Sequence, residues 1–416
     1  MIQSNFMEKL LDGVQVEWKV LGDVINSLKT GLNPRKNFQL NTPNAEGFYV
    51  TVREIQNGKI IFLDKTDRVN DLALELINNR SNLEIGDILF SGTGTVGKTA
   101  VIEKQPTNWN IKEGVYVIKP KKEIINSRYL SHLLNSQDIV REYSKKIVGS
   151  PVVSLPMGDL KKLLIPIPPL KVQEEIVRIL DTFTELTAEL TAELTARKKQ
   201  YTYYRDKLLS FEEGEVEYKE LGEIGELVRG SGLPKSDFTE IGVPAIHYGQ
   251  IYTYYGTFTK ETKSFVSYET AKKLKKVNTG DVVITNTSEN LEDVGKAVVY
   301  LGKLQAVTGG HATIFKPSSQ ITGKFLAYYT QTGMFAGQKR KYAKGTKVID
   351  VSATDMAKII IPIPSLAEQE RIVSILDKFD ALTSSITEGL PREIELRQKQ
   401  YEYYRNMLLS FPKQEV

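Results

Sequence analysis

The sequence predicts an α+β protein that uses one unit twice: two pseudo-symmetric α/β domains joined by two long antiparallel coiled-coil helices. Three observations predict it. The 416-residue chain repeats itself at an offset near 196. After each of two Ile/Pro alternations, apolar residues recur at steps of three and four. Between the helical stretches lie short β-branched runs punctuated by glycine, asparagine and aspartate.

The repeat is plainest at its ends. IPIPPLKVQEEIVRILDTF at 165–183 answers IPIPSLAEQERIVSILDKF at 361–379, an offset of 196. KQYTYYRDKLLSF at 199–211 answers KQYEYYRNMLLSF at 399–411 at an offset of 200, so the second helical copy is the longer by four. Fainter matches fill the interval. VEWKVLGDV at 16–24 answers VEYKELGEI at 216–224, VGKTAVI at 96–102 answers VGKAVVY at 294–300, and Gly149 answers Gly345. FMEKLLDG at 6–13 resembles the repeat end at 204–211, so residues 1–13 complete the C-terminal repeat. The expected division is a first domain at 1–164, a helical repeat at 165–213, a second domain at 214–360 and a second helical repeat at 361–416.

Proline forbids a helix interior, so the Ile/Pro stretches enter as extended chain and helices start near Leu170 and Leu366. Ile176, Phe183, Leu190 and Tyr204 in the first copy, and Ile372, Phe379, Leu390 and Tyr404 in the second, mark the expected helix and subunit interface. TAEL occurs twice, at 187–190 and 191–194, a run of four-residue steps that locally unwinds a supercoil. Gly389 and Pro391 predict a break in the second copy. The remaining segments each carry β runs such as GDILFS and GDVVIT, with helices over 70–78 and 268–276.

Composition narrows the function. With no Cys there is no disulfide, thiolate zinc site or Cys nucleophile. No apolar run approaches a membrane span and the N-terminus lacks a signal-peptide pattern, so a cytoplasmic protein is expected. A formal charge of +4 is compatible with nucleic acid without pointing to it. His132, His247 and His311 are scattered, so no metal site is expected. GTGTVGKT at 92–99 fits the phosphate-binding P-loop pattern. That loop needs a helix beginning at its lysine, whereas TAVIE follows, so a Gly-rich β-turn is expected and a P-loop nucleotide-binding protein is the lesser alternative.

Basic and amide residues gather at loop-like places in both halves. The first set is Arg35, Lys36, Arg53, Gln56, Lys98, Lys145 and Lys146; the second is Lys235, His247, Gln250, Lys296, Lys339, Arg340, Lys341, Lys344 and Lys347. Lysine and arginine contact phosphates and guanine, and glutamine pairs with adenine edges. A solvated surface charge is the plainer account of any one of them. Recurrence at matched places, Lys98 with Lys296 and Lys145 with Lys341, favours DNA contact for the set.

The layout resembles the specificity subunit (HsdS) of type I restriction–modification enzymes. The Ile-Pro-x-Pro entries, the EIVRILD and RIVSILD helices, the TAEL units and the two QY-x-YYR-x-x-LLSF ends look like its IC branch. The resemblance implies a non-catalytic subunit. Each long segment would be a target recognition domain reading one half of an asymmetric bipartite site in double-stranded DNA, and the helices would fix the spacer. It further implies two methyltransferase (HsdM) subunits and endonuclease/translocase (HsdR) subunits as partners, and no membrane. This chain would bind no cofactor; S-adenosylmethionine, ATP and Mg²⁺ would come with the partners. A methyltransferase-only complex and a protein-binding coiled-coil scaffold stay open as alternatives.

Overall fold

The computed structural model describes residues 9–11, 13–34, 37–385 and 388–412. The chain divides into two units: Met1–Glu189 with Glu395–Val416, and Leu190–Ile394. The Ile/Pro entries are strands, Leu164–Ile167 and Ile360–Ile363, each paired antiparallel with the strand that opens its own long segment, Glu17–Val20 and Glu217–Glu220. Helices follow at Leu170 and Leu366, where the prolines end.

In the first unit a four-stranded antiparallel sheet runs Ile25–Thr30, Val115–Pro120, Ile88–Ser91, Thr99–Val101. A three-stranded sheet runs Asp67–Val69, Gly47–Val50, Trp109–Ile111, its last pair parallel. The second unit repeats this plan with more strands. Its five-stranded sheet runs Gly225–Arg229, Ala312–Pro317, Val282–Thr285, Ala297–Tyr300, Phe258–Thr259. The other five-stranded sheet again holds one central parallel pair, Val243–Ile246 with Ala306–Thr308. The four-residue strands Ile88–Ser91 and Val282–Thr285 are buried at every position, which is why both read as unbroken apolar runs rather than alternations.

Each sheet packs on its own piece of helix. Ile176 and Leu180 are fully buried in the core of the first unit, and Ile372 and Leu376 at the matching places in the second. One glutamine braces each junction. Gln173 accepts the amide of Asn126 at 2.8 Å and donates to the carbonyls of Ile124 and Pro168. Gln369 accepts the amide of Thr322 at 2.9 Å and donates to the carbonyls of Gln320 and Pro364. Both side chains are fully buried, and three hydrogen bonds at roughly 1 kcal/mol net each keep a buried amide from costing stability.

The helix Leu170–Leu208 is continuous over 39 residues, roughly 58 Å at 1.5 Å per residue. The second helical repeat is two helices, Leu366–Thr383 and Gly389–Leu408. The break falls just before Gly389. Its φ of +76° suits glycine alone, and a Cβ there would lie 2.7 Å from the carbonyl oxygen of Leu382. Pro391 then sits in a first helical turn, where no amide is missed. Phe183 stacks on Tyr404 in the first unit at 5.2 Å, and Phe379 on Tyr204 in the second at 6.0 Å. Such a pair contributes about 0.5–1.5 kcal/mol beyond its area. Leu390 is nearly buried and Leu190 half-buried. Tyr203 and Tyr403 are over 60% exposed, so each QY-x-YYR segment turns its middle tyrosine to solvent.

Candidate nucleic-acid interface

The two strands around the Gly-rich motif fix its shape. Ile88–Ser91 and Thr99–Val101 form a hairpin whose loop, 92–98, is closed by the Gly97 amide donating to the Ser91 carbonyl and the Lys98 amide to Ser91 Oγ. A strand follows Lys98 where a P-loop would need a helix, so the phosphate-binding reading of this motif falls. In the second unit Val282–Thr285 and Ala297–Tyr300 make the same hairpin, and Lys296 stands where Lys98 does, directly before the strand. Both lysines are exposed.

A second loop lies beside each hairpin. Val148 and Ser154 exchange two backbone hydrogen bonds in the first unit; Lys344 and Asp350 do so in the second. Gly149 and Gly345 take φ of +101° and +105°, and a Cβ on either would collide with the carbonyl oxygen of Val152 or Val348. Each loop touches its hairpin: the Gly94 amide donates to the Val153 carbonyl, and Thr287 pairs with Asp350. Two sequence-distant segments thus make one tip in each unit.

The structure brings part of the first basic set together. Lys98 Nζ lies 3.4 Å from the carbonyl oxygen of Val52, beside Arg53, and Gln56 donates to the Arg53 carbonyl at 2.9 Å. Arg53 pairs with Asp67 at 3.1 Å and contacts the buried Glu54. Lys145 and Lys146 are exposed at the end of the helix Gln137–Ser144, and Lys145 pairs with Glu142. Tyr143 of that helix lies under Gly97, a residue from Lys98, so this end of the helix adjoins the hairpin. Arg35 and Lys36 lie outside the described residues.

The second set is more divided. Lys296 pairs with Asp293 at 2.7 Å; Lys341 and Lys347 are exposed at and beyond the end of the helix Gly333–Tyr342. Gln250 has both ends of its amide engaged, accepting from the His247 amide and donating to Ser264 Oγ at 2.6 Å. Lys235 and His247 stand at a separate cluster with Phe238, Tyr248 and His311. Sequence reasoning missed Tyr248 and His311, because the contacts joining them cross more than sixty residues. It also placed Lys339 among the loop-like basic residues open to DNA, and the fold buries it. That side chain is 6% exposed and holds the hairpin loop from beneath, donating to the carbonyls of Glu292 at 3.2 Å and of Val294. Burial, then Lys296 nearby, lowers its pKa to about 8. Tyr143 fills the matching place in the first unit.

Among the described residues no group of three His, Cys, Asp or Glu could hold a metal ion, and no helix is long and apolar enough to cross a membrane.

Two stretches, 14–197 and 213–396, match the family described as type I restriction modification DNA specificity domain. The chain belongs to that family. Members of the type I specificity family resemble it end to end. The EcoR124I/EcoR124II specificity subunit of Escherichia coli is 35% identical over 100% of this chain and 99% of its own length. The EcoprrI specificity subunit of the same species is 30% identical over 93% of each. A solved structure from work on assembly and conformational transition of the type I restriction–modification system covers 95% of this chain and 98% of its own, with a TM-score of 0.59 at 19% identity. The S subunit from M. genitalium gives 0.54 at 17% identity, over 97% of this chain and 98% of that one. At those identities the two structures show the shared fold alone.

Proposed function

We propose that this chain is the DNA sequence-specificity subunit of a type I restriction–modification complex and does no chemistry itself. Residues 1–164 and 214–360 would each read one half of an asymmetric two-part DNA site, and the helical repeats 165–213 and 361–416 would set the distance between the halves. The observation that carries this is the pair of tips: one backbone design, used twice in one chain, with different side chains around it. A repeated fold that served one partner would have no reason to vary there. Lys98, Lys296, Lys146, Lys341 and Lys347, all exposed, supply phosphate contacts. Two methyltransferase subunits would bring S-adenosylmethionine, and the translocating endonuclease subunits ATP and Mg²⁺.

The test is to express the chain with its methyltransferase in a host lacking adenine methylation and sequence the methylated genome. The expected result is one asymmetric motif in two parts, with methylated adenine in each. Exchanging residues 1–164 for the matching segment of a relative should change only one part. A continuous motif, or a chimera that changes both parts, would overturn the proposal.

A further inference from the structure

We propose that the second unit reads the acceptor-bearing edge of a purine through His247, which sits in a ring cluster with Tyr248 and His311, and that this contact serves one half-site only. The inference rests on the specificity reading above and deepens it. The Tyr248 ring lies between the two imidazoles, 4.5 Å from His247 and 4.8 Å from His311. His311 Nδ1 is 2.8 Å from Thr287 Oγ1, and Thr287 pairs with Asp350 of the neighbouring loop. The cluster is therefore continuous with the tip that carries Lys296 and Lys347.

The chemistry of His247 is fixed by its own backbone. It caps the helix Tyr248–Thr253, and its Nδ1 accepts the amide of Gly249 at 3.2 Å. A ring nitrogen that accepts carries no proton, so the proton of the neutral imidazole is on Nε2. Burial, Lys235 and His311 all lower the His247 pKa from 6.5, which keeps the ring neutral at pH 7. Nε2 makes no hydrogen bond within the described chain and is not enclosed, since the buried unpaired side-chain nitrogens are those of Asn286 and Arg405. It is a single donor that the described chain does not claim, with its tautomer settled. Purine N7, joined in guanine by O6, offers acceptors on the major-groove edge. Exposed Lys235 adds positive potential beside it.

Among the described residues the first unit has no such cluster at the matching place. Thr51 stands where His247 does, since its amide donates to Glu54 as that of His247 donates to Gln250. Gly114 stands where His311 does: its carbonyl accepts the Gly92 amide as that of His311 accepts the Asn286 amide. Helix capping alone does not explain an imidazole here, because asparagine caps at least as well.

That equivalence supplies the variant. His247→Asn keeps a cap acceptor and removes the Nε2 donor, leaving only an amide on a shorter side chain that does not reach as far as the imidazole. In the complex with its methyltransferase, H247N should relax one base position in one part of the methylated motif, with discrimination down about 10-fold, and leave the other part unchanged. A 7-deazapurine at that position should weaken wild-type binding about 10-fold and leave H247N binding unaltered, the loss of one base-edge contact. An unchanged H247N motif, an even loss across both parts, or wild-type indifference to 7-deazapurines throughout that part would each overturn the inference while the specificity reading stands. A wild-type complex that methylates no two-part motif would overturn both.

Discussion

Gly92 and Tyr116 in the first unit stand where Asn286 and Thr313 stand in the second, and the two pairs solve one packing problem in opposite ways. Gly92 lacks a positive φ, so its backbone accepts any residue. Space is what excludes a side chain. A Cβ at 92 would lie 2.7 Å from Cδ2 of Tyr116 and closer still to Cε2 and Cζ. The ring cannot retreat, being 6% exposed with its hydroxyl donating to the Leu155 carbonyl at 2.7 Å. In the second unit Asn286 is accommodated because Thr313 is small and donates to its Oδ1 at 2.8 Å. Gly92→Asn should cost about 3 kcal/mol, from overpacking of 1–3 and a hydroxyl bond worth roughly 1. Tyr116→Thr alone should cost about 3–5 kcal/mol through the cavity it leaves. Together they rebuild the pairing of the second unit, so the double variant should cost no more than Tyr116→Thr, a coupling of about 3 kcal/mol. Asn286 Nδ2 is buried without a partner, so a similar orphan donor keeps the double variant below wild type. The assay is urea unfolding followed by tryptophan fluorescence. Both tryptophans, Trp18 and Trp109, belong to the first unit, so the signal reports that unit alone. Costs that add to within about 0.5 kcal/mol would refute the reasoning.

Three further outcomes follow from the same structure. Lys339 is held at a pKa of about 8, below the usual 10.5, so its contribution to folding is fully present above 10.5 and lost as pH falls to about 8. On the order of 3 kcal/mol of stability in the second unit should be gained between those values, by circular dichroism of urea unfolding, and Lys339→Met should flatten the rise. Lys98→Ala or Lys296→Ala should each make the salt dependence of DNA binding shallower by about one unit of log–log slope; an unaltered slope would remove that lysine from the phosphate contacts. A third TAEL inserted at Thr195 adds about 6 Å of helix, so methylome sequencing should show the same half-sites with a spacer longer by about one or two base pairs. An unchanged spacer would end the ruler interpretation.

Much of this molecule was legible in residue order. The doubled unit, the extended Ile/Pro entries, the helix starts at Leu170 and Leu366, the break beside Gly389 and the strand after Lys98 all follow from local rules: proline's missing amide, glycine's freedom at positive φ, and β-branched side chains. Such rules act over a few residues, so a sequence displays them directly. The repeat also matched Gly149 with Gly345, and only the structure shows that each turns a tip loop. Local rules could not say that Gln250 has its amide spent on His247 and Ser264, or that Lys339 is a buried strut while Lys341 is free to meet solvent. Nor could they join His311 to Thr287 and Tyr248. Whether a polar side chain is available to a ligand depends on which distant segment has already claimed its donors and acceptors, and only the folded chain decides that.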